Sequence, residues 1–344
     1  MAVYGDQHGL KRGAVELSSV SAMTFGPAGV LFVGDSKNAT VYALRVGDGD
    51  DKAAAEILVE DLLAKIKDAT GEAATPRDLA ADPTTGQVVL AVQSDRGASL
   101  LSVSGKGELK PIDLKDVPHA KVELVDAPED KVVQRGRRRS NPREETITDI
   151  AFYENKVLVS GLSDAASASS VRELNFPFAK ADRGVGVQIF HAAHGRDEDY
   201  SAARTIVPLV VDGKPNLLAA YVCTPLVKIP LEKLEAETEK VTATTVAELG
   251  NRNRPLDLIS YEQDGQQFLL LSNSARGVMK IQTSGLDENP GLTERVGGGG
   301  TAGQQFTTVD ALQGVVQMDK LSEDHAVVLI ENDGQVTLKS VQLP

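Results

Sequence analysis

The chain has 344 residues, with 36 Lys and Arg against 49 Asp and Glu, giving a formal net charge of −13. That excess repels phosphate backbones and anionic lipid, which sets nucleic acid aside as a partner. No run approaches the roughly 18 apolar residues of a membrane span, and a single cysteine, Cys223, rules out an intrachain disulfide.

Residues 1–13, MAVYGDQHGLKRG, lack the apolar core of a signal peptide. Two compartments remain open. The preferred one is periplasmic or secreted, for a mature chain that has shed its leader; the other is the cytoplasm. Trp is absent and aromatics make up only 4%, so the core must rest on Val, Leu, Ile and Ala.

From residue 20 one pattern recurs: an apolar strand, a turn, a very apolar strand, a small polar cluster and a third strand. The first copy reads SVSAMTF, GPAG, VLFVGDSKNA, TVYALRV. The second starts at Arg77 (RDLAADP, QVVLAVQSDRGA, SLLSVS) and the third at Ile147 (ITDIAFY, KVLVSGLSDAAS, ASSVRELNF). The fourth begins near Thr205 (TIVPLVV, NLLAAYVCT, PLVKIPL) and the fifth at Arg254 (RPLDLISY, QQFLLLSNSA, RGVMKIQT). The sixth begins near Val315 (VVQMDKL, HAVVLIEND, GQVTLKSVQL). Successive starts are 57, 70, 58, 49 and 61 residues apart.

Units of this size, none able to bury both faces of its own sheet, predict an all-β fold: a single β-propeller of six blades, each of four antiparallel strands. Fourth strands are expected around 57–63, 186–190 and 244–249. Only Pro344 follows Leu343, too little to complete unit six, so residues 14–18 are expected to close the ring by pairing the N- and C-terminal strands. Seven blades, with a degenerate copy within 183–250, is the second choice, and a pair of β-sandwiches the third. The chain reads as one domain over 1–344, acting as a monomer, with loop insertions at about 115–146 and 285–305. The basic run RGRRRS at 135–140 has no interleaved aromatics and reads as a solvated loop.

The first unit, AMTFGPAGVLFVGDSKNATVYAL, resembles the repeats of the NHL, strictosidine-synthase-like and gluconolactonase-like propellers. The resemblance covers one repeat well and the others loosely. It implies the fold, and many unrelated activities share that fold. Gluconolactonase-like propellers hold a divalent cation, usually calcium, through Glu, Asn and Asp at the channel mouth. Asp35 and Asn273 stand at comparable strand ends, but no glutamate leads the first unit. Absence of Trp argues against the quinone-dependent dehydrogenase propellers, which repeat Trp motifs.

In a propeller, the blade-to-blade loops and the loops joining second and third strands open on one face. The densest polar segment on that face is FHAAHGRDEDY, 190–200. His191 and His194 could converge on one ion in a turn, and Cys223 at the end of the fourth unit's second strand supplies a third donor. A His/His/Cys set suits copper or zinc. The alternative is that the histidines cap a loop and Cys223 is a small buried apolar residue. A second cluster, Arg252, Arg254 and Arg276 with Asn273 nearby, suits recognition of a carboxylate or phosphate. Its alternative is a salt bridge from Arg254 or Arg276 to Asp257 that locks neighbouring blades. Aspartates recur on first strands (Asp78, Asp149, Asp257, Asp319), either gathering a cation such as calcium or accepting backbone hydrogen bonds from the next blade.

The functional expectation is a binding propeller that recognises a small molecule, a metal ion or a protein partner through one face. The alternatives are a metal-dependent lactonase- or esterase-like hydrolase and a pure interaction scaffold. No G-x-S-x-G, Walker or dinucleotide motif is present.

Overall fold

The structure is a computed structural model that describes residues 8–46, 56–82, 84–135, 138–234 and 238–344. Gly136 and Arg137 of the basic run lie outside the described residues; Arg135 and Arg138–Ser140 fall in paired strands, Val133–Arg135 with Arg138–Ser140. The one α-helix among the described residues is Leu62–Thr70, and no helix is long and apolar enough to cross a membrane.

Six antiparallel sheets form the six blades. Numbered by their inner strands in chain order, these begin with Ala22–Phe25, Thr75–Ala81, Asp149–Tyr153, Thr205–Val211, Pro255–Gln263 and Val315–Lys320. The second strands sit mid-sheet with a neighbouring blade on each side, so their sequences run apolar almost without a break. Val30–Asp35 shows the consequence of strand alternation: Val30 and Phe32 enter the core shared with blade 3, while Leu31 and Val33 enter the core shared with blade 2. Three hairpins, the first of blades 4 and 5 and the second of blade 6, turn on Asp-Gly pairs with positive φ at both residues (Asp212-Gly213, Asp264-Gly265, Asp333-Gly334). This two-residue geometry matches the strand twist and fixes the register.

The six expected blades are present, but they do not follow one another round the ring. Six apolar cores mark six junctions: 1/2, 2/6, 6/5, 5/4, 4/3 and 3/1. Blade 2 therefore lies between blades 1 and 6. After three strands of blade 1 the chain crosses to blade 6, where Leu58–Val59 becomes the fourth strand against Gln335–Gln342. It then builds blade 2 and returns to blade 1 as Val117–Glu123, the fourth strand against Thr40–Arg45.

Two expectations are corrected by this route. The ring is closed by the internal Leu58–Val59 segment, whereas residues 14–18 form no strand; the N-terminal strand Lys11–Gly13 instead caps blade 1 by pairing with Val117–Glu123. Part of the expected 115–146 insertion is that same blade strand. The expected outer strands of blades 3 and 4 are found at Val185–His191 and Thr244–Glu248.

The inner strands enclose a channel cavity of about 350 Å³. The four aspartates on these strands act as clips. In each, one carboxylate oxygen accepts the N–H of the following residue, and the other accepts an N–H from the next blade. Asp149 reaches Ile206 at 2.6 Å, Asp257 reaches Met318 at 2.7 Å, Asp319 reaches Ala81 at 2.8 Å and Asp78 reaches Met23 at 2.5 Å. All four point in the same rotational sense, from blade 3 to 4, 5 to 6, 6 to 2 and 2 to 1. This is the interblade role, with both oxygens of each carboxylate engaged. Burial raises all four above the usual carboxylate range, Asp149 to about 6 and Asp319 to about 7. At Asp78 and Asp257 the other channel carboxylates add to that rise.

Replacing Asp257 by Asn sets an NH₂ against a backbone N–H, so Asp257→Asn should lower unfolding free energy by about 1–3 kcal/mol in urea denaturation. Asp319 gives a pH signature. Its folded-state value lies above its unfolded one, so its stabilising contribution is complete below the ordinary Asp range and lost as pH rises through about 7. Wild-type protein should accordingly lose stability relative to Asp319→Asn between about pH 5 and about pH 8; a constant difference across that range would contradict this assignment.

Candidate metal centre

The outer strand of blade 3, Val185–His191, turns Val185, Val187 and Ile189 into the core shared with blade 4. His191 is next on that alternation and is 4% exposed. A tight turn follows, in which His194 and Gly195 donate their N–H groups to the His191 carbonyl at 3.0 and 2.8 Å. Gly195 adopts φ +68°, a conformation that glycine takes without a Cβ penalty. The chain then returns as Arg196–Glu198, pairing His191 with Arg196 and Ile189 with Glu198.

That hairpin puts Glu198 beneath both imidazoles. Its Oε2 lies 2.8 Å from His191 Nδ1, and its Oε1 lies 2.8 Å from His194 Nδ1 and 2.9 Å from Arg196 Nε. Burial opposes ionisation of Glu198, but hydrogen bonds from His191, His194, Tyr200 and Arg196 outweigh it and hold the carboxyl at about 2. An ionised carboxylate only accepts, so both histidines donate from Nδ1, which in a neutral ring leaves the Nε2 lone pair free. His191 Nε2 is buried and has no hydrogen-bond partner. Burial also pushes His191 below the usual imidazole value, which favours the neutral ring.

Cys223 comes from blade 4, in the turn between Lys214–Ala220 and Pro225–Pro230. Cys223 and Thr224 are both left-handed, with φ of 66° and 58°. A β-branched residue seldom adopts this conformation, so it is held from outside. Cys223 N–H donates to the Asn253 carbonyl at 2.8 Å, Thr224 Oγ1 to the Gly250 carbonyl at 2.6 Å, and Leu249 N–H to the Thr224 carbonyl at 3.0 Å. One ring nitrogen each of His191 and His194 and the Cys223 sulfur all lie within 4.8 Å of one another, the one such trio of potential ligands among the described residues. Since Glu198 occupies both Nδ1 atoms, the nitrogens available are Nε2. Tetrahedral zinc, with bonds of about 2.0–2.3 Å, needs ligand atoms about 3.3–3.6 Å apart.

A further residue borders the trio. Glu248, at the end of blade 4's outer strand Thr244–Glu248, is fully buried. Its Oε2 accepts the N–H of Ala193, between the two histidines, at 3.1 Å, and its Oε1 has no partner. Burial raises it to about 7, against the lowering effect of the Ala193 and Gly250 amides and of the His194 and Arg276 charges. The segment expected as the 285–305 insertion also bears on the site. Val296 N–H donates to the Ala192 carbonyl at 2.9 Å, the Arg295 side chain packs over Gly195, and Ala302–Gly303 pairs with the outer strand of blade 4.

The expected arginine cluster divides. The Arg276 guanidinium lies over Gly250 and donates weakly to the Asn251 carbonyl at 3.4 Å. Arg254 turns to the channel mouth. Arg252 is exposed, in a left-handed conformation with φ 56°. The alternative pairing with Asp257 is not made either, because that carboxylate holds the Leu258 and Met318 amides. Asn273 is buried and accepts from Asn253 Nδ2 at 3.0 Å. Asp35 lies in blade 1, where its carboxylate accepts N–H groups of Ser18, Ser19 and Asn38 and staples the incoming chain. Asn273 and Asp35 are thus committed to structure.

No family model matches the sequence, and no curated protein does. Solved propellers are similar in fold. The PQQ-bound aldose sugar dehydrogenase of Streptomyces coelicolor aligns over 96% of this chain and 97% of its own, at 10% identity and a TM-score of 0.33. A putative oxidoreductase (glucose dehydrogenase) of Thermus thermophilus aligns over 97% and 100%, at 11% identity and a TM-score of 0.36. The WD40 propeller domain of Doa1 aligns over 97% and 98%, at 10% identity and a TM-score of 0.31. The likeness is one of propeller fold alone.

Proposed function

We propose that this propeller binds one transition-metal ion, copper or zinc, through His191, His194 and Cys223 at the junction of blades 3 and 4. The observation that carries the reading is the buried His191 Nε2, left without a partner beside a second imidazole and a thiol. An unsatisfied buried polar atom is costly, and a metal ion is the partner that two neutral imidazoles and a thiolate suit best. Glu198 supports the reading, since metal-ligating histidines commonly donate their other N–H to a carboxylate that fixes tautomer and orientation. Three protein donors leave a fourth coordination position for an exchangeable ligand. Glu248 favours a second reading, hydrolysis of a lactone or ester, because it sets a buried carboxyl oxygen without a partner against the turn that carries both histidines.

Titration of metal-stripped protein with Zn²⁺ and Cu²⁺, followed by calorimetry and elemental analysis, should give one equivalent bound. His194→Ala and Cys223→Ser should each weaken binding by about a hundredfold, and Cys223→Ser should abolish any thiolate-to-copper charge-transfer absorption. Glu198→Gln should retain the stoichiometry but bind about 10–100-fold more weakly. Absence of stoichiometric metal, or wild-type affinity in both ligand variants, rejects the site. For the second reading, zinc-loaded Glu248→Gln must keep its metal and lose any lactone or ester turnover that the wild-type protein has.

A further inference from the structure

Three arginines stand at the starts of inner strands: Arg77 within Thr75–Ala81, Arg204 just before Thr205–Val211 and Arg254 just before Pro255–Gln263. The starts of the inner strands of a propeller gather at one end of its channel. Here they meet at the mouth of the channel, in a cavity of about 550 Å³ lined by Arg77, Arg204, Arg254, Lys37, Glu144 and Glu145 among others. The basic side chains come from blades 1, 2, 4 and 5, so the cavity is a product of the closed ring. It opens directly onto the channel, with Ser21, Thr148, Arg204, Leu256 and Gln317 lining both.

The charge of this mouth is opposite to that of the molecule. Four cations face two carboxylates there, an excess of two positive charges on a chain of net charge −13. Arg204 is held in place, with a side chain only 16% exposed and an ion pair to Glu145 at 3.0 Å. Burial, and then the neighbouring Arg254 charge, lower the Arg204 guanidinium from its usual value, so two like charges are kept close with one carboxylate to offset them. Arg254 and Arg77 are exposed to the cavity. A fork of N–H donors grips a carboxylate or phosphate in bidentate fashion, which a lysine point charge does not. When ionised, the channel aspartates below offer an anion only acceptor oxygens, which favours binding at the mouth.

We propose that the channel mouth is a binding site for a small dianion, a dicarboxylate or a phosphate group, held by Arg77, Arg204 and Arg254. The site is separate from the His191, His194 and Cys223 trio, none of which lines this cavity, and stands or falls independently of it.

Calorimetric titration of the protein with sodium succinate and with inorganic phosphate, at low and constant ionic strength, tests this. At least one dianion should bind saturably at one site, with acetate at least about tenfold weaker. The ratio of the two affinities assigns the carboxylate or the phosphate class. Arg77→Ala and Arg254→Ala, both exposed and expected to fold, should each weaken binding by about tenfold or more. Arg252→Ala, outside the cavity, should leave it unchanged. No saturable binding of either dianion, acetate binding as tightly as the dianions, or unchanged affinity in both Arg77→Ala and Arg254→Ala overturns the proposal.

Discussion

A blade of this protein is apolar on both faces, so none can be stable until it has a neighbour on each side. Everything else follows from that requirement for closure. Six apolar cores sit between six blades, and the second strand of each blade contributes alternate residues to two of them. The chain closes the ring by lending Leu58–Val59, an internal segment, to blade 6 as its fourth strand, and commits Val117–Glu123 to blade 1 only after blade 2 is made. Blade 1 is therefore incomplete until the chain has crossed to blade 6 and come back. The junctions on either side of blade 2 are tied by strand exchange as well as by packing.

The aspartate clips act on the same constraint at the axis. Inner strands of adjacent blades are too far apart in the channel to share a ladder, yet their N–H groups need acceptors. A short carboxylate with one oxygen on its own strand and one on the next blade meets that need at four of the six junctions. The inner strands of blades 4 and 1, Thr205–Val211 and Ala22–Phe25, carry no carboxylate. The clips also decide what the channel is. Carboxylates recurring at one position look like a cation cage in sequence, but their oxygens are already engaged, and the recurrence is that of packing.

What could be read from the sequence was whatever repeats locally. The VLFV, VVLAV, KVLVS and FLLLS strands, with their turn residues, gave six units and their starts. The order of units round the ring was hidden, because Leu58–Val59 is two residues long and Val117–Glu123, VPHAKVE, alternates too weakly to stand out from an acidic linker. At the site, His191, His194 and Cys223 were legible as rare residues at loop positions on one face. Glu198 was not, although it lies in the same segment. Asp197 is its equal in composition, and only the hairpin register separates them: Asp197 faces Gln188 Nε2 at 3.1 Å, while Glu198 faces the imidazoles. Glu248 gave even less warning, because ELG at a strand end is an unremarkable ending until the turn of another blade is laid against it. The arginines misled for the same reason. Nearness in sequence grouped Arg254 with Arg252 and Arg276, whereas ring geometry groups it with Arg77 and Arg204.

The position of the His/His/Cys trio is itself explained by closure. A site at the axis would need side chains from inner strands, and those are taken by the clips and by packing. At the blade 3/4 junction the outer sheet edges carry extra chain. Blade 3 gains the Arg196–Glu198 return and a parallel partner in Lys240–Thr242, and blade 4 gains Ala302–Gly303. The Asn253 and Gly250 carbonyls and the Leu249 N–H hold Cys223 and Thr224 in a left-handed pair that an Asn-Gly would have adopted at little cost. A strained Cys-Thr in that place is difficult to account for by folding alone. Its effect is to bring a sulfur toward two imidazoles whose other nitrogens are already oriented.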